Sequence, residues 1–227
     1  MKTLKLKYFI NAFLRPKGKY SFLRMLKSNS VILDIGCGNS SVASVKSILP
    51  KCNYTGIDVG DYNQTDFSKS LMDSYLISEP NKFSSSIREL GENTFDVVIS
   101  SHNIEHCDDP EATLKEMLYV LKPGGSIYLS FPSLKSINFP SRYGTLNYFD
   151  DDTHKVSPPD FDLISDKLLT AGFEVSYATR QYKPFLLFCI GFALELFSKK
   201  QKKVFIGTWE YYGFESIIHA KKTDNIN

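Results

Sequence analysis

Residues 31–40 are Val31-Ile-Leu-Asp-Ile-Gly-Cys-Gly-Asn-Ser40, an apolar run that leads directly into two closely spaced glycines. The apolar run predicts a buried strand, and the apolar residues after Ser40 recur at helical spacing. Gly36 and Gly38 lack Cβ atoms, so the backbone between strand and helix can turn sharply and a ligand can approach its amides closely. Because a helix N-terminus favours anionic groups, the stretch indicates a nucleotide-cofactor site.

A second short strand is predicted at Tyr54-Thr-Gly-Ile-Asp58. A carboxylate that ends this strand can accept hydrogen bonds from both hydroxyls of a ribose. Two details disfavour a dinucleotide, and with it a nicotinamide-dependent oxidoreductase. Ser41 stands where a third glycine is expected, and Asp34 precedes the first glycine by two positions.

Three further motifs follow in order: Phe95-Asp-Val-Val-Ile-Ser100, Asn103-Ile-Glu-His-Cys-Asp-Asp-Pro110 and Leu118-Tyr-Val-Leu-Lys-Pro-Gly-Gly125. Together with the glycine stretch, they resemble the class I S-adenosylmethionine-dependent methyltransferases, whose first motif is an acidic residue followed by glycine-x-glycine. His154 and Ala171-Gly-Phe173 extend the resemblance, which runs from about Val31 to Thr179. It implies S-adenosylmethionine as the cofactor and methyl transfer as the reaction.

Strand and helix signals alternate, which predicts an α/β fold. In line with the resemblance, we expect a Rossmann-like, doubly wound and mostly parallel seven-stranded sheet with helices on both faces. The 227 residues, 42% of them hydrophobic, suffice for a single methyltransferase domain over residues 1–227. Residues 1–30 are expected to form a basic helical segment, and residues 135–157 and 182–213 are expected to be substrate-side inserts.

The weakly periodic region between Gly60 and Asn93 predicts a short helix around Leu71 to Ile77 and a third strand near Phe83 to Ile87. Many members of the family carry an acidic residue after the third strand that contacts adenine. The stretch Lys82-Phe-Ser-Ser-Ser-Ile-Arg88 has none. We therefore expect Phe83 or Ser84, with backbone amides, to hold the adenine.

The resemblance implies that Gly36 backbone atoms hold the amino-acid part of the cofactor. Asp34 would position the cofactor and Asp58 would bind the ribose. Val59 is a candidate for packing on the adenine, with an ordinary core valine as the alternative. The complete expected set is Asp34, Gly36, Cys37, Gly38, Asp58, Val59, Phe83, Ser84, Ser101 and His102.

A hydroxyl acceptor must lose a proton during methyl transfer, and an imidazole with its ordinary pKa of about 6.5 suits that task at neutral pH. We rank His154 first as the base because Asp150-Asp-Asp152 could orient it, followed by His106 and His102. His102 and His106 can also be structural residues at a helix start. The aspartate run can equally be an exposed turn, so no metal site is expected.

The four cysteines show no C-x-x-C pair, so neither a zinc site nor a disulfide framework is indicated, and a cytoplasmic protein is expected. A net charge of +2 and the lack of an Asn/Asp-Pro-Pro-aromatic run after the fourth strand disfavour nucleic acid as a partner. The predicted function is O-methylation of a sugar or glycan hydroxyl in surface polysaccharide biosynthesis. The alternatives are methylation of another small-molecule metabolite, or cofactor binding without turnover.

Three aromatic residues, Tyr143, Tyr148 and Phe149, offer flat apolar faces of the kind that cover sugar rings. Basic residues near the N-terminus and the Phe-rich stretch from Pro184 to Phe197 predict peripheral contact with an anionic membrane face, at the inner side of the membrane. The alternative is that these segments and the aromatic insert cap the core. The Phe-rich stretch is too short to cross a bilayer, which needs about 20 apolar residues. The sequence does not indicate an oligomeric state.

Overall fold

The computed structural model describes residues 2–154 and 157–224. Its strands are β1 Val31–Ile35, β2 Asn53–Asp58, β3 Ser74–Ile77, β4 Phe95–Ser101, β5 Leu121–Pro132, β6 Phe173–Thr179 and β7 Glu215–Lys222. Its helices are α1 Lys2–Leu14, α2 Lys19–Leu23, α3 Ser41–Ile48, α4 Asp66–Ser70, α5 Phe83–Arg88, α6 Pro110–Val120, α7 Phe161–Thr170, α8 Phe185–Gln201 and α9 Thr208–Tyr212. Within the described residues, none of these helices combines the length and apolar character needed to span a membrane.

The strands form one seven-stranded sheet in the order β3-β2-β1-β4-β5-β7-β6. The first five strands in chain order run parallel, and β7 lies antiparallel between β5 and β6. Ile32 packs into the core cluster on one face of the sheet, whereas Leu33 and Ile35 pack into the cluster on the other. Because both faces are covered, β1 is a continuous apolar run. The predicted Rossmann-like fold is confirmed.

The region between β2 and β4 contradicts the sequence prediction. The expected helix at 71–77 contains the strand β3, and the expected strand at 83–87 is the helix α5. Phe83 and Ile87 are four positions apart and both buried, as expected for one face of a helix. β3 is the edge strand, and its Tyr75 and Leu76 are only partly buried, so it lacks the strong apolar pattern of the central strands.

Two element boundaries have local causes. α7 begins at Phe161, because the Asp160 carboxylate caps the helix by accepting the amides of Asp162 and Leu163. β5 begins at Leu121, which pairs with Phe95 before the register shifts and Ser126 pairs with Val97. The glycine pair at 124–125 therefore lies in an irregularity of β5.

The two predicted inserts contact each other. The buried Arg142 guanidinium pairs with Glu195 of α8 at 2.6 Å and donates to Ser198 at 2.6 Å. The Trp209 indole N–H donates to the Thr145 carbonyl at 2.7 Å. Residues from both inserts are thereby joined by buried polar contacts.

Buried His219 of β7 makes the stability of this fold depend on pH. Its Nε2–H donates to the Lys17 carbonyl at 2.9 Å, which favours the charged ring. Burial outweighs this hydrogen bond and lowers the pKa of His219 to about 4. The unfolded chain takes up this proton near pH 6.5, whereas the folded chain resists it down to about 4, so acidification through this window favours unfolding.

We expect the free energy of unfolding to fall as the pH is lowered from 7 to 4.5, with His219 contributing on the order of 2–3 kcal/mol of that loss. Urea denaturation of the wild type and of His219→Gln at both pH values checks this. Glutamine keeps a side-chain N–H donor and does not titrate, so the variant should lose less stability. An equal loss in both proteins would contradict the assignment.

Candidate cofactor and acceptor site

The glycine turn after β1 packs directly on the segment that follows β4. Gly36 has a φ of +72°, and a Cβ placed on it would lie 2.6 Å from the Asn103 Cβ. Its amide donates to the Ile57 carbonyl at 2.9 Å. Only glycine permits both this backbone conformation and this approach. The ends of β1, β2 and β4 therefore meet at Gly36, at the carboxyl edge where such sheets bind ligands.

Asp58 lies at the end of β2 and is 6% exposed. Its Oδ2 accepts the Gly38 amide at 2.9 Å, and its Oδ1 accepts the Val59 amide at 2.8 Å. Burial raises the pKa of this carboxyl, opposed by these amides. Each carboxylate oxygen has a second acceptor position, so Asp58 can order the glycine turn and still receive ribose hydroxyls.

Asp34 is buried under the turn. Its Oδ2 accepts from Ser41 Oγ at 2.6 Å, Tyr54 OH at 2.9 Å and Lys19 Nζ at 3.3 Å, while its Oδ1 has no hydrogen-bond partner among the described residues. Sequence reasoning missed Lys19, whose Nζ also lies 2.7 Å from Ser41 Oγ at the start of α3. An ammonium group there can bind the carboxylate of an amino-acid ligand. The N-terminal run of basic residues was the available signal, but it does not single out Lys19.

The predicted adenine contacts need correction. Phe83 is 4% exposed and belongs to the core cluster, so its ring packs inside the protein. Because β3 ends at Ile77, Glu79 is an acidic residue that follows the third strand, and it is exposed. The expectation that no such residue is present was wrong, since it followed from the misplaced strand. Ser84 is partly buried on α5.

Cys37 and Val59 lie closer to the core than predicted for ligand contacts. Cys37 is fully buried, and its Sγ would be 2.7 Å from a Cβ on Gly56, so it packs beneath the turn. Burial raises the pKa of its thiol. Val59 is partly buried against the core cluster, which agrees with the core alternative.

His102 follows β4 and lies between two carboxylates. Its Nδ1 is 3.1 Å from Glu105 Oε1, and its Nε2 is 3.3 Å from Glu215 Oε1. Burial disfavours the charged ring, but the hydrogen bonds to both glutamates outweigh it and raise its pKa to about 10. The two carboxylates therefore favour the charged form of His102, which disfavours its predicted role as a base. Neighbouring Ser101 shares a hydrogen bond with Ser130 at 3.0 Å.

Glu215 and Arg15 are further members of this network that sequence reasoning missed. The Arg15 guanidinium pairs with Glu215 and, at 3.5 Å, with Glu210. Burial opposes the charge of Glu215, but Arg15 and His102 lower its pKa to about 2.

Arg15 and Trp209 also line a cavity of about 240 Å³ between α1 and the second insert. The His102 ring lies 5.4 Å from the Trp209 ring, so the network borders this cavity.

His106 lies in the turn that follows β4, and His154 lies in the predicted insert at 135–157. The two side chains are neighbours, with ring centroids 4.8 Å apart. The Nδ1 of His154 bonds to the Tyr148 carbonyl. Tyr148 is fully buried and stacks on His154 at 4.3 Å, so it supports the histidine instead of covering a sugar. Asp150 accepts the amides of residues 142, 146 and 147, and Asp151 lies 4.0 Å from His154 Nε2. The hydrogen bond that orients the His154 ring therefore comes from the Tyr148 carbonyl rather than from a carboxylate of the aspartate run, contrary to the prediction.

A larger cavity of about 570 Å³ lies between α6 and α7 and is lined in part by Asp109, Lys115 and Lys167. It shares no lining residue with the glycine turn or the histidine pair. It is therefore separate from the chemistry described above.

Comparison with known proteins identifies the matching domain. Residues 33–129 match the family model described as a methyltransferase domain. The chain is 33% identical over 105 residues to a sterol 24-C-methyltransferase of Kluyveromyces lactis, covering 44% of this chain and 28% of that protein. It is 28% identical over 109 residues to the mitochondrial ubiquinone biosynthesis O-methyltransferase of Dictyostelium discoideum, covering 44% and 34%. The chain thus spans about a third of the length of these curated relatives.

Solved structures show the same fold across nearly the whole chain. An S-adenosylmethionine-dependent methyltransferase from Mesorhizobium loti aligns with a TM-score of 0.58 and 14% identity, covering 90% of this chain and 97% of that one. Another from Archaeoglobus fulgidus aligns with a TM-score of 0.53 and 17% identity, covering 95% and 99%. Residues 33–129, which include the glycine turn, therefore match a methyltransferase domain, the chain has the fold of S-adenosylmethionine-dependent methyltransferases, and the domain match supports S-adenosylmethionine as the cofactor.

Proposed function

We propose that the protein transfers the methyl group of S-adenosylmethionine to a hydroxyl of a small or glycan acceptor at the His106–His154 pair. The observation that carries this proposal is the hydrogen bonding of each ring. A carbonyl can only accept, so His154 Nδ1 donates to Tyr148, and in the neutral ring the lone pair lies on Nε2. The hydroxyl of Thr153 donates to Asp151 Oδ1, so Thr153 Oγ1 accepts the His106 Nδ1–H at 3.0 Å. In the neutral His106 ring the lone pair is therefore also on Nε2.

The reaction needs little beyond alignment and one proton acceptor. The acceptor oxygen attacks the methyl carbon, and the new C–O bond forms as the S–C bond breaks. The sulfonium becomes the neutral thioether S-adenosylhomocysteine, and the hydroxyl proton passes to the Nε2 of His154. Because Asn103 packs on Gly36 and is followed by the turn that carries His106, the pair lies in the segment adjoining the cofactor turn.

The proposed acceptor is a sugar or glycan hydroxyl of the kind methylated in surface polysaccharide biosynthesis. Phe149 is 60% exposed, and its ring lies 5.4 Å from Tyr148, which stacks on His154. Exposed Tyr143 lies on the same insert. Flat apolar faces beside a proton acceptor suit a sugar ring. The relatives' names point to other hydroxyl and carbon acceptors, so a non-sugar metabolite is the alternative.

We further propose that the acceptor is presented at an anionic membrane face. Leu6, Phe9, Ile10 and Phe13 form an exposed stripe on α1 at helical spacing. A second exposed apolar set on α8 includes Phe185, Phe192 and Leu196. Exposed basic residues accompany these helices at Lys7, Lys17, Lys199, Lys200, Lys202 and Lys203. Apolar stripes flanked by cations favour binding at the surface of an anionic bilayer.

Incubation with methyl-labelled S-adenosylmethionine and a panel of acceptors tests the proposal. The panel holds nucleotide sugars, lipid-linked glycans in anionic vesicles, phenolic metabolites, proteins and RNA. We expect label in the sugar-containing acceptors, with lipid-linked glycans in vesicles preferred. Label confined to the phenolic, protein or RNA arms would contradict the sugar assignment. No label in any arm from a protein that binds S-adenosylhomocysteine would favour the non-catalytic alternative.

A further inference from the structure

A buried carboxylate beside the histidine pair has an unsatisfied oxygen. The Glu105 side chain is fully buried, and its Oε1 is held by His102. Its Oε2 has no hydrogen-bond partner among the described residues. Leaving a buried carboxylate oxygen unpaired is costly, so this oxygen is expected to face a ligand.

The two histidines lie beside this carboxylate. One ligand atom from each of Glu105, His106 and His154 lies within 4.8 Å of the others. The Nδ1–H groups of both rings are already used, by Thr153 and by Tyr148, which leaves Nε2 as the donor atom in each. Metal-binding histidines commonly have their second ring nitrogen engaged in this way, because it orients the ring and selects the tautomer.

We propose that Glu105, His106 and His154 bind one divalent transition-metal ion. Two imidazole nitrogens and one carboxylate oxygen form a donor set that suits Zn²⁺ and related ions, and three protein ligands leave a coordination position open. His102 acts as a positioning residue, since its Nδ1 lies 3.1 Å from the other oxygen of Glu105. This proposal replaces the expectation of no metal site, which considered only the cysteines and the aspartate run.

The role of the ion rests on the proposed function, whereas its binding does not. At the open position the ion would coordinate the acceptor oxygen and stabilise its deprotonated form. The hydroxyl proton then leaves to solvent water, the oxygen takes the methyl group, and the S–C bond breaks to give the neutral thioether. With the ion in place, both imidazoles serve as ligands rather than as bases.

Metal titration of the full chain tests the binding. Cys189 is exposed and can bind metals on its own, so all proteins carry Cys189→Ser. Calorimetry with Zn²⁺, and the visible spectrum with Co²⁺, should show one ion per chain. Glu105→Gln, His106→Gln and His154→Gln should each weaken binding at least tenfold. Asp152→Asn removes an exposed acidic residue near the site and is the matched control, which should bind as the parent does.

The affinity of each variant for S-adenosylhomocysteine serves as the folding control. The metal site would be overturned if the parent protein did not bind one metal ion per chain. It would also be overturned if all three glutamine variants bound S-adenosylhomocysteine and kept the metal affinity of the parent. Should a variant not fold, the parent's Co²⁺ spectrum still decides, because it must show nitrogen and oxygen ligation. Methyl transfer that survives complete metal removal would overturn the ion's role in activation. If no acceptor of the panel took up label while metal binding was intact, that result would count against the proposed function alone.

Discussion

Replacement of His154 by alanine is expected to lower turnover about 100-fold or more, the usual range for losing a group that handles the proton in the transition state. The variant loses the Nε2 lone pair, whether that lone pair takes the proton itself or holds the activating ion. Cofactor affinity should stay close to that of the wild type, because His154 makes none of the contacts that build the glycine turn.

Steady-state kinetics with an acceptor identified by the labelling panel, together with calorimetry of S-adenosylhomocysteine, measures both quantities. His106→Ala and His102→Ala are the comparison variants. Near-normal turnover in His154→Ala, combined with a large loss in either of the other two, would remove His154 from the reaction.

Replacement of Gly36 by alanine is expected to weaken S-adenosylhomocysteine by more than about 100-fold, which corresponds to more than about 2.7 kcal/mol. Alanine at a φ of +72° costs about 1–2 kcal/mol by itself, and its Cβ would lie 2.6 Å from the Asn103 Cβ. Relieving that contact requires the turn and the segment after β4 to move apart, which separates the two walls of the cofactor site.

Calorimetry checks this result, with two variants to separate the causes. Asn103→Gly in the Gly36→Ala background removes the opposing Cβ and should restore part of the affinity, because the two substitutions are coupled. Asp58→Ala should weaken binding by about tenfold or more through the lost ribose contacts, a loss of about 1.4 kcal/mol or greater. Wild-type affinity in a folded Gly36→Ala protein would show that the turn does not contact the cofactor.

The central elements could be predicted from the sequence because their determinants are local. The apolar run at 31–35 is buried on both faces in the structure. The start of α6 also follows its signals, since Asp109 caps the helix by accepting the Ala112 amide at 2.8 Å and Pro110 occupies its first turn. The sequence prediction exchanged a strand and a helix between β2 and β4 because the local signals there are weak. An edge strand buries fewer of its side chains, so its pattern of apolar residues is less regular.

The carboxylate at the end of β2 was located correctly for the same reason, because the spacing from glycine turn to acidic residue reflects one strand-turn-helix-strand unit. The partners of the histidines could not be located in that way. His102 is held by Glu105, three positions away, and by Glu215, which is 113 positions away. Its protonation state depends on both, so the residue type alone could not exclude it as a base.

By itself, the sequence determined the α/β fold class and the placement of the glycine turn and Asp58, because short-range apolar periodicity and backbone chemistry specify them, whereas the cofactor followed from the family resemblance. Only the tertiary structure decided which histidine lies between two carboxylates and which two lie next to each other. It also decided that Lys19 meets Asp34 and that Glu105 has an unsatisfied oxygen. Those properties arise from burial and from hydrogen bonds between residues distant in the chain, and such contacts exist only once the sheet has assembled its loops at one edge.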